Sequence, residues 1–157
     1  MSAARALEAD GRGGLTLGGS RYLLIRPETL VGLQKAVEGA LGERAAACIA
    51  AGGRAGGARA TASLDGAAHD RVSRLLRIGA EIGWGEFALE RLTATELAVS
   101  VRGSAVAQAY GPSTAPVCHL IRGVLESLAA ATFGRPSTVV ETACAAMGAP
   151  ACRFVAS

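Results

Sequence analysis

The segment from Pro116 to Ser157 constrains the fold more than any other part of the chain. It reads PVCHLIRGVLESLAAATFGRPSTVVETACAAMGAPACRFVAS and carries Cys118, Glu141, Cys144 and Cys152. Pro116 stands where a helix can begin, and Val117, Leu120, Ile121, Val124, Leu125 and Leu128 follow at helical spacing. Gly134 and Arg135-Pro136 stop that helix, so Cys118 is expected in its first turn. Ser137 to Thr142 is rich in β-branched residues and reads as a strand, Met147 to Pro150 as a turn, and Cys152 to Val155 as a returning strand. One helix and one hairpin thereby gather Glu141, Cys144 and Cys152 beside Cys118.

Three thiols and a carboxylate form a ligand set for a closed, four-coordinate zinc site, with no vacant position for a reacting water. Two other readings of the cysteines stand beside this one: small apolar residues packed in a core, or disulfides. The opening residues, MSAARALEADGRGGL, have charges of both signs and no apolar run of the secretory kind. An intracellular, reducing setting is therefore expected, and disulfides fit it poorly. A zinc held by three thiolates and a carboxylate has a net charge of −2, for which Arg122, Arg135 and Arg153 are the local offsetting candidates. His119 follows Cys118 directly on the helix, so the two side chains diverge by about 100° and His119 is a poor ligand. Cys48, in the alanine-rich run ERAAACIAAGG, has no ligand neighbours and reads as packing.

The pattern resembles the 4-vinyl reductase (4VR) domain family, which includes sensor domains of aromatic-responsive transcriptional activators, a protein encoded with bacteriochlorophyll-biosynthesis enzymes and, distantly, subunits of the TRAPP vesicle-tethering complex. The likeness rests on Cys118, Glu141, Cys144 and Cys152, whose order and gaps of 23, 3 and 8 positions match the zinc ligands of the phenol-sensing members. RYLLIRPETLVGLQKAVEGALGE and GAEIGWGEFALERL extend it to roughly residues 20 to 156. The resemblance implies an α+β fold of the NO-signalling/Golgi-transport ligand-binding type, with helices on a small antiparallel sheet and the C-terminal helix and hairpin joined by zinc. It also implies a pocket for a hydrophobic small molecule between helices and sheet, with His69, Trp84 and Tyr110 as candidate anchors, and pairing of two copies through their helices.

Length and composition fit one compact domain. Residues 1–14 read as a flexible tail and 15–157 as the domain, and a chain of 157 residues buries about 70% of its unfolded surface on folding. A short β segment is expected around Leu15 to Ile25, then a helix opened by Pro27 and Glu28, striped by Leu30, Leu33, Val37 and Leu41 and ended by Gly42. A second helix spans Glu43 to Leu64 and contains Gly52, Gly53, Gly56 and Gly57, a spacing that lets another helix approach closely. A third covers Ala67 to Ile82, and Phe87 to Leu92 and Leu97 to Val101 alternate as two strands.

The net charge of +3, fifteen Arg and the single Lys35, is scattered without a run, which argues against nucleic acid or an anionic membrane as partner. No apolar stretch nears the ~20 residues of a membrane span. A cytoplasmic protein is expected. Gly83-Trp84-Gly85 loosely suggests a dinucleotide loop but precedes a strand instead of following one, and no nucleophile and base stand together. The reading is a stand-alone sensor or carrier for an aromatic or tetrapyrrole-like compound, paired as a homodimer and acting on a signalling or biosynthetic partner protein. A tetrapyrrole (vinyl) reductase or accessory enzyme, and a purely protein-interacting subunit, are the alternatives.

Overall fold

A computed structural model of the chain describes residues 7–157. Its first elements, β1 (Leu7–Ala9), β2 (Leu15–Leu17) and β3 (Ser20–Tyr22), form a separate antiparallel meander. The tail expected over residues 1–14 falls partly outside the described residues. Of the remainder, Leu7–Ala9 is a strand, because Asp10 closes a turn by accepting the amides of Arg12 and Gly14 at 2.7 Å each.

Helix α1 (Pro27–Leu41) opens on Pro27 with Glu28 in its first turn, where a fixed φ and a negative charge suit a helix start, and ends at Gly42, whose φ of 55° few other residues adopt. A 3-10 turn, Gly42–Arg44, leads into α2 (Ala45–Ala62), and α3 (Ala68–Glu81) follows. Strands β4 (Glu86–Leu92) and β5 (Leu97–Arg102) form a hairpin whose turn is held by Thr93 Oγ1, which accepts the amides of Thr95 and Glu96. A short α4 (Ala105–Tyr110), unforeseen in the sequence, is capped by Ser104. Then come α5 (His119–Phe133), ended by a left-handed Gly134, β6 (Val139–Ala143), a 3-10 turn Ala145–Met147, and β7 (Cys152–Ala156). Among the described residues no helix is long and apolar enough to cross a membrane.

Strands β4 to β7 make one antiparallel sheet in the order β4-β5-β7-β6. Register lines up Leu97 with Ala156 and Val139, and Val99 with Phe154 and Glu141. These rows are buried, so period-2 alternation turns Glu141 inward with the core while Val140 points out, 57% exposed. Fully burying Phe154, Leu97, Ile121 and Leu128 contributes about 2 kcal/mol each. The fold is α+β, as the sequence implies.

Helices α2 and α5 touch backbone to backbone. A Cβ on Gly53 would overlap the Leu120 carbonyl oxygen, one on Gly123 would overlap that of Ala50, and one on Gly57 would stand 2.9 Å from Val124 Cα. The close approach expected of the glycines is therefore made inside one chain. Ser127 Oγ donates to the Arg54 carbonyl at 2.8 Å, and buried Glu126 is clasped by Arg54 and Arg122 at 2.5 and 3.0 Å. On α1 the buried residues are Val31 and Gln34 instead of the Leu30 to Leu41 stripe, and Leu33 is 64% exposed. The reason is that Gln34 turns inward to donate to the Val117 carbonyl and to Glu38, both at 2.9 Å.

Two neighbouring glycines of α2 separate close packing from helix propensity. Gly53→Ala is expected to lower stability by about 2–3 kcal/mol through overpacking. Gly52→Ala, where a Cβ meets nothing within 4 Å, is expected to raise it by about 0.5–1 kcal/mol. Denaturant titration of both variants checks the pair.

Candidate metal centre

Cys118 is the N-cap of α5, one residue outside the helix proper, which starts at His119 and not near Pro116. Its own amide donates to Glu141 Oε2 at 3.0 Å, and helical bonding begins with Arg122 N–H to the Cys118 carbonyl at 2.9 Å. Glu141 comes from β6, Cys144 from the residue after it, and Cys152 from the first position of β7. Helix start and hairpin thus meet as the spacing implies.

The four ligand atoms of Cys118, Glu141, Cys144 and Cys152 all lie within 4.8 Å of one another, and all four residues are buried. Cys118 Sγ and Cys152 Sγ are 3.6 Å apart. Sulfurs bonded at about 2.3 Å to one tetrahedral ion would be separated by about 3.8 Å, whereas a disulfide needs about 2.05 Å. All four cysteines of the chain are free thiols, so the disulfide alternative is not realised. Glu141 Oε1 is buried without a hydrogen-bond partner. An unpaired buried carboxylate oxygen among three thiols carries a desolvation cost that a bound cation would remove. The residues therefore fit a metal ion with soft ligands, and the cluster can hold one.

Electrostatics agree with that reading. Burial is the main cause that pushes the Glu141 carboxyl above its usual range. Burial also pushes Cys144 up to about 11, helped by Glu141. Cys118 is pushed up, first by its hydrogen bond with Cys152 and then by burial, while the same bond pulls Cys152 down to about 7. Without a cation, the pocket thus opposes ionisation of three of its four ligands. The Arg residues expected to offset the negative charge do not face it: Arg122 holds Glu126 and the Ala46 carbonyl, Arg153 holds Glu90 at 2.7 Å, and Arg135 stacks over Phe133. Polar hydrogens serve instead. Ala145 N–H donates to Cys152 Sγ at 3.3 Å, and the amide of Cys118 meets Glu141. Ser104 Oγ lies 3.5 Å from Cys118 Sγ. Ser104 is fully buried and was not identifiable in advance, because it lies fourteen positions before Cys118 on another element.

The three candidate ligand anchors part company. Trp84 lines an apolar cavity of about 270 Å³ between α2, α3, α5 and the start of β4, together with Leu75, Ile78, Phe87, Leu120 and Val124. Gly83 and Gly85 place it there: Gly83 (φ 94°) ends α3, and at Gly85 (φ 139°) a side chain would strike Val101. These glycines turn the chain and cradle no phosphate. Tyr110 belongs elsewhere, to a cleft of about 550 Å³ beside Glu38, His119, Arg122 and Glu141. Its hydroxyl donates to Glu38 at 2.7 Å, which holds its pKa above the usual phenol range, and Lys35 stands over its ring. His69 is exposed in the first turn of α3 and lines neither space. Apolar stripes Val72, Leu75 and Leu76 turn the other way into the core, which leaves position 69 facing solvent.

This geometry defines a helix-and-hairpin domain with a thiol and carboxylate cluster at its heart. Residues 97–157 match the model of the V-4-R domain, that of the 4-vinyl reductase family, so the chain carries this domain in the part that holds the cluster. Comparison with curated proteins gives no match. Among solved structures, the fold is similar to the phenol-responsive sensory domain of the transcription activator PoxR, crystallised with phenol, at a TM-score of 0.85 and 23% identity over 98% of this chain and 85% of that one. It is also similar to a vinyl-4-reductase family protein from Methanocaldococcus jannaschii, at a TM-score of 0.61 and 15% identity over 88% of this chain and 83% of that one. At these identities the likeness is one of fold.

If a metal cross-links α5 to the β6–β7 hairpin, a strong chelator should lower the melting temperature of protein purified without chelator. Cys144→Ser and Cys152→Ser should do the same, since structural zinc binding is worth on the order of 10 kcal/mol in small domains. Cys48→Ser, at an exposed position, should leave it nearly unchanged. Calorimetric melting curves of the four samples check this.

Proposed function

We propose that residues 15–157 form a single domain that binds a hydrophobic small molecule, aromatic or tetrapyrrole-like, as a sensor or carrier, with a structural zinc on Cys118, Glu141, Cys144 and Cys152. The observation that carries this reading is the apolar cavity of about 270 Å³, whose wall includes Trp84 and Phe87. A concave, mostly apolar space with a few polar atoms is what small-molecule sites are made of. The likeness to a phenol-responsive sensory domain supports it. Zinc is the metal that suits three thiols and one carboxylate in a closed tetrahedral set, and its part would be to tie α5 to the hairpin. No step of a reaction is assigned to it.

A sensor or carrier must hand its state on, so a signalling or biosynthetic partner protein belongs to this reading. So does pairing of two copies, for which Leu23, Leu24 and Ile25, 79, 71 and 50% exposed, supply apolar surface together with Leu33. The cytoplasm, where thiols stay reduced, is the compartment proposed.

Elemental analysis should find close to one zinc per chain. In a thermal-shift screen of hydrophobic compounds, a ligand should raise the melting temperature by mass action and quench Trp84, the only tryptophan of the chain. No turnover should accompany binding. A screen in which nothing shifts the melting temperature would refute the binding reading in favour of a protein-interacting subunit. Reduction of a divinyl tetrapyrrole with a nicotinamide or flavin donor would instead establish the reductase. Light scattering at tens of micromolar should report a dimer, and a monomer would remove the pairing.

A further inference from the structure

Resting on the reading of the cavity as the ligand site, we propose that its ligand is a compact, uncharged arene of one or two rings, recognised without an ionised group, and that Gly52 and Gly56 set the upper limit on its size.

Volume gives the first bound. An apolar cavity of about 150 Å³ accommodates benzene, and drug-sized ligands occupy sites of about 300–1,000 Å³. At about 270 Å³ this cavity falls between the two, above a single small ring and below a tetrapyrrole. Charge gives the second. No Asp, Glu, Lys, Arg or His is among its lining residues. A carboxylate or ammonium entering it would lose its hydration and meet no counter-charge. The polar side-chain groups on the wall are the Trp84 indole N–H and the Tyr22 hydroxyl, enough to tolerate one polar substituent. The rings of Trp84, Phe87 and Tyr22 favour an aromatic guest by edge and face contact.

The glycines of α2 divide by task. Gly53 and Gly57 must lack a side chain because α5 lies against them. Gly52 and Gly56 have no such reason, since a Cβ at either meets nothing within 4 Å and neither has a positive φ. Glycine is a poor helix former, so these two positions weaken α2 without serving its packing. Both line the cavity, and the space their side chains would take belongs to it. A leucine at position 56 would project into that space and leave room for one ring but not for two.

The test is isothermal titration of the full-length protein with toluene, naphthalene, benzoate and protoporphyrin, repeated on Gly56→Leu and on Gly39→Leu. Gly39 is an exposed helical glycine with open space around it, away from the cavity. Toluene and naphthalene should bind the unmodified protein at least tenfold more tightly than benzoate or protoporphyrin. Gly56→Leu should weaken naphthalene at least tenfold and toluene no more than about threefold, while Gly39→Leu changes neither. Should Gly56→Leu fail to fold, Gly56→Ala should give the same ranking at smaller amplitude. Benzoate or protoporphyrin binding as tightly as the arenes would overturn the ligand class and leave the binding function standing. Naphthalene binding unchanged in the folded Gly56 variant would overturn the size limit. Binding of none of the four would overturn this inference, and the broader thermal-shift screen would then decide whether the binding function survives it.

Discussion

Backbone contact between α2 and α5 across Gly53, Gly57 and Gly123 sets the position of nearly everything else. At this separation neither helix has room for a side chain, so α5 is fixed in height and rotation against α2. Fixing α5 fixes both ends of its influence. Its N-terminus presents Cys118 to the hairpin, and its next turns, through Leu120, Ile121, Val124 and Leu125, floor the apolar cavity. The Glu126 clasp by Arg54 and Arg122 bolts the same pair of helices from the side. With Glu126 buried, removing either arginine would leave a charge short of partners, and such losses cost about 3–5 kcal/mol when complete.

Charge at the thiol cluster is handled by local dipoles more than by ions. Fifteen arginines surround a cluster that would be anionic when metal-bound, yet Arg122, Arg135 and Arg153 are each engaged elsewhere. The positive end of α5, the amides at Cys118 and Ala145 and the hydroxyl of Ser104 stand around the sulfurs and the carboxylate instead. This arrangement suits a staple: it stabilises ionised ligands only when a cation is present, and the metal-free pocket drives Glu141 and Cys118 toward their neutral forms.

Much of the framework was legible because its punctuation is local. Pro27 and Gly42 bound α1, Gly134 ends α5, and alternation over Leu97 to Val101 marks β5. The cluster was legible because two short-range rules act together: a hairpin closes Cys144 on Cys152, and a period of two turns Glu141 inward. What escaped depends on distant partners. Cys118 looked helical until Glu141, twenty-three positions later, took its amide. Gln34 reads as a surface residue until the Val117 carbonyl buries it. Ser104, α4 and the role of Tyr110 with Glu38 have no local signature. For His69, residue type pointed to an anchor, but its place on α3 turns it to solvent.

The central claim is that one helix, α5, joins a metal staple at its start to a ligand cavity along its side. A crystal structure of the zinc-loaded protein soaked with naphthalene tests both halves at once. The account predicts one metal ion bonded to Cys118, Glu141, Cys144 and Cys152, and the bicyclic ring between Gly56 and Trp84. A metal bound by His119 in place of Glu141, or the arene seated in the cleft beside Tyr110 and Glu38, would contradict it.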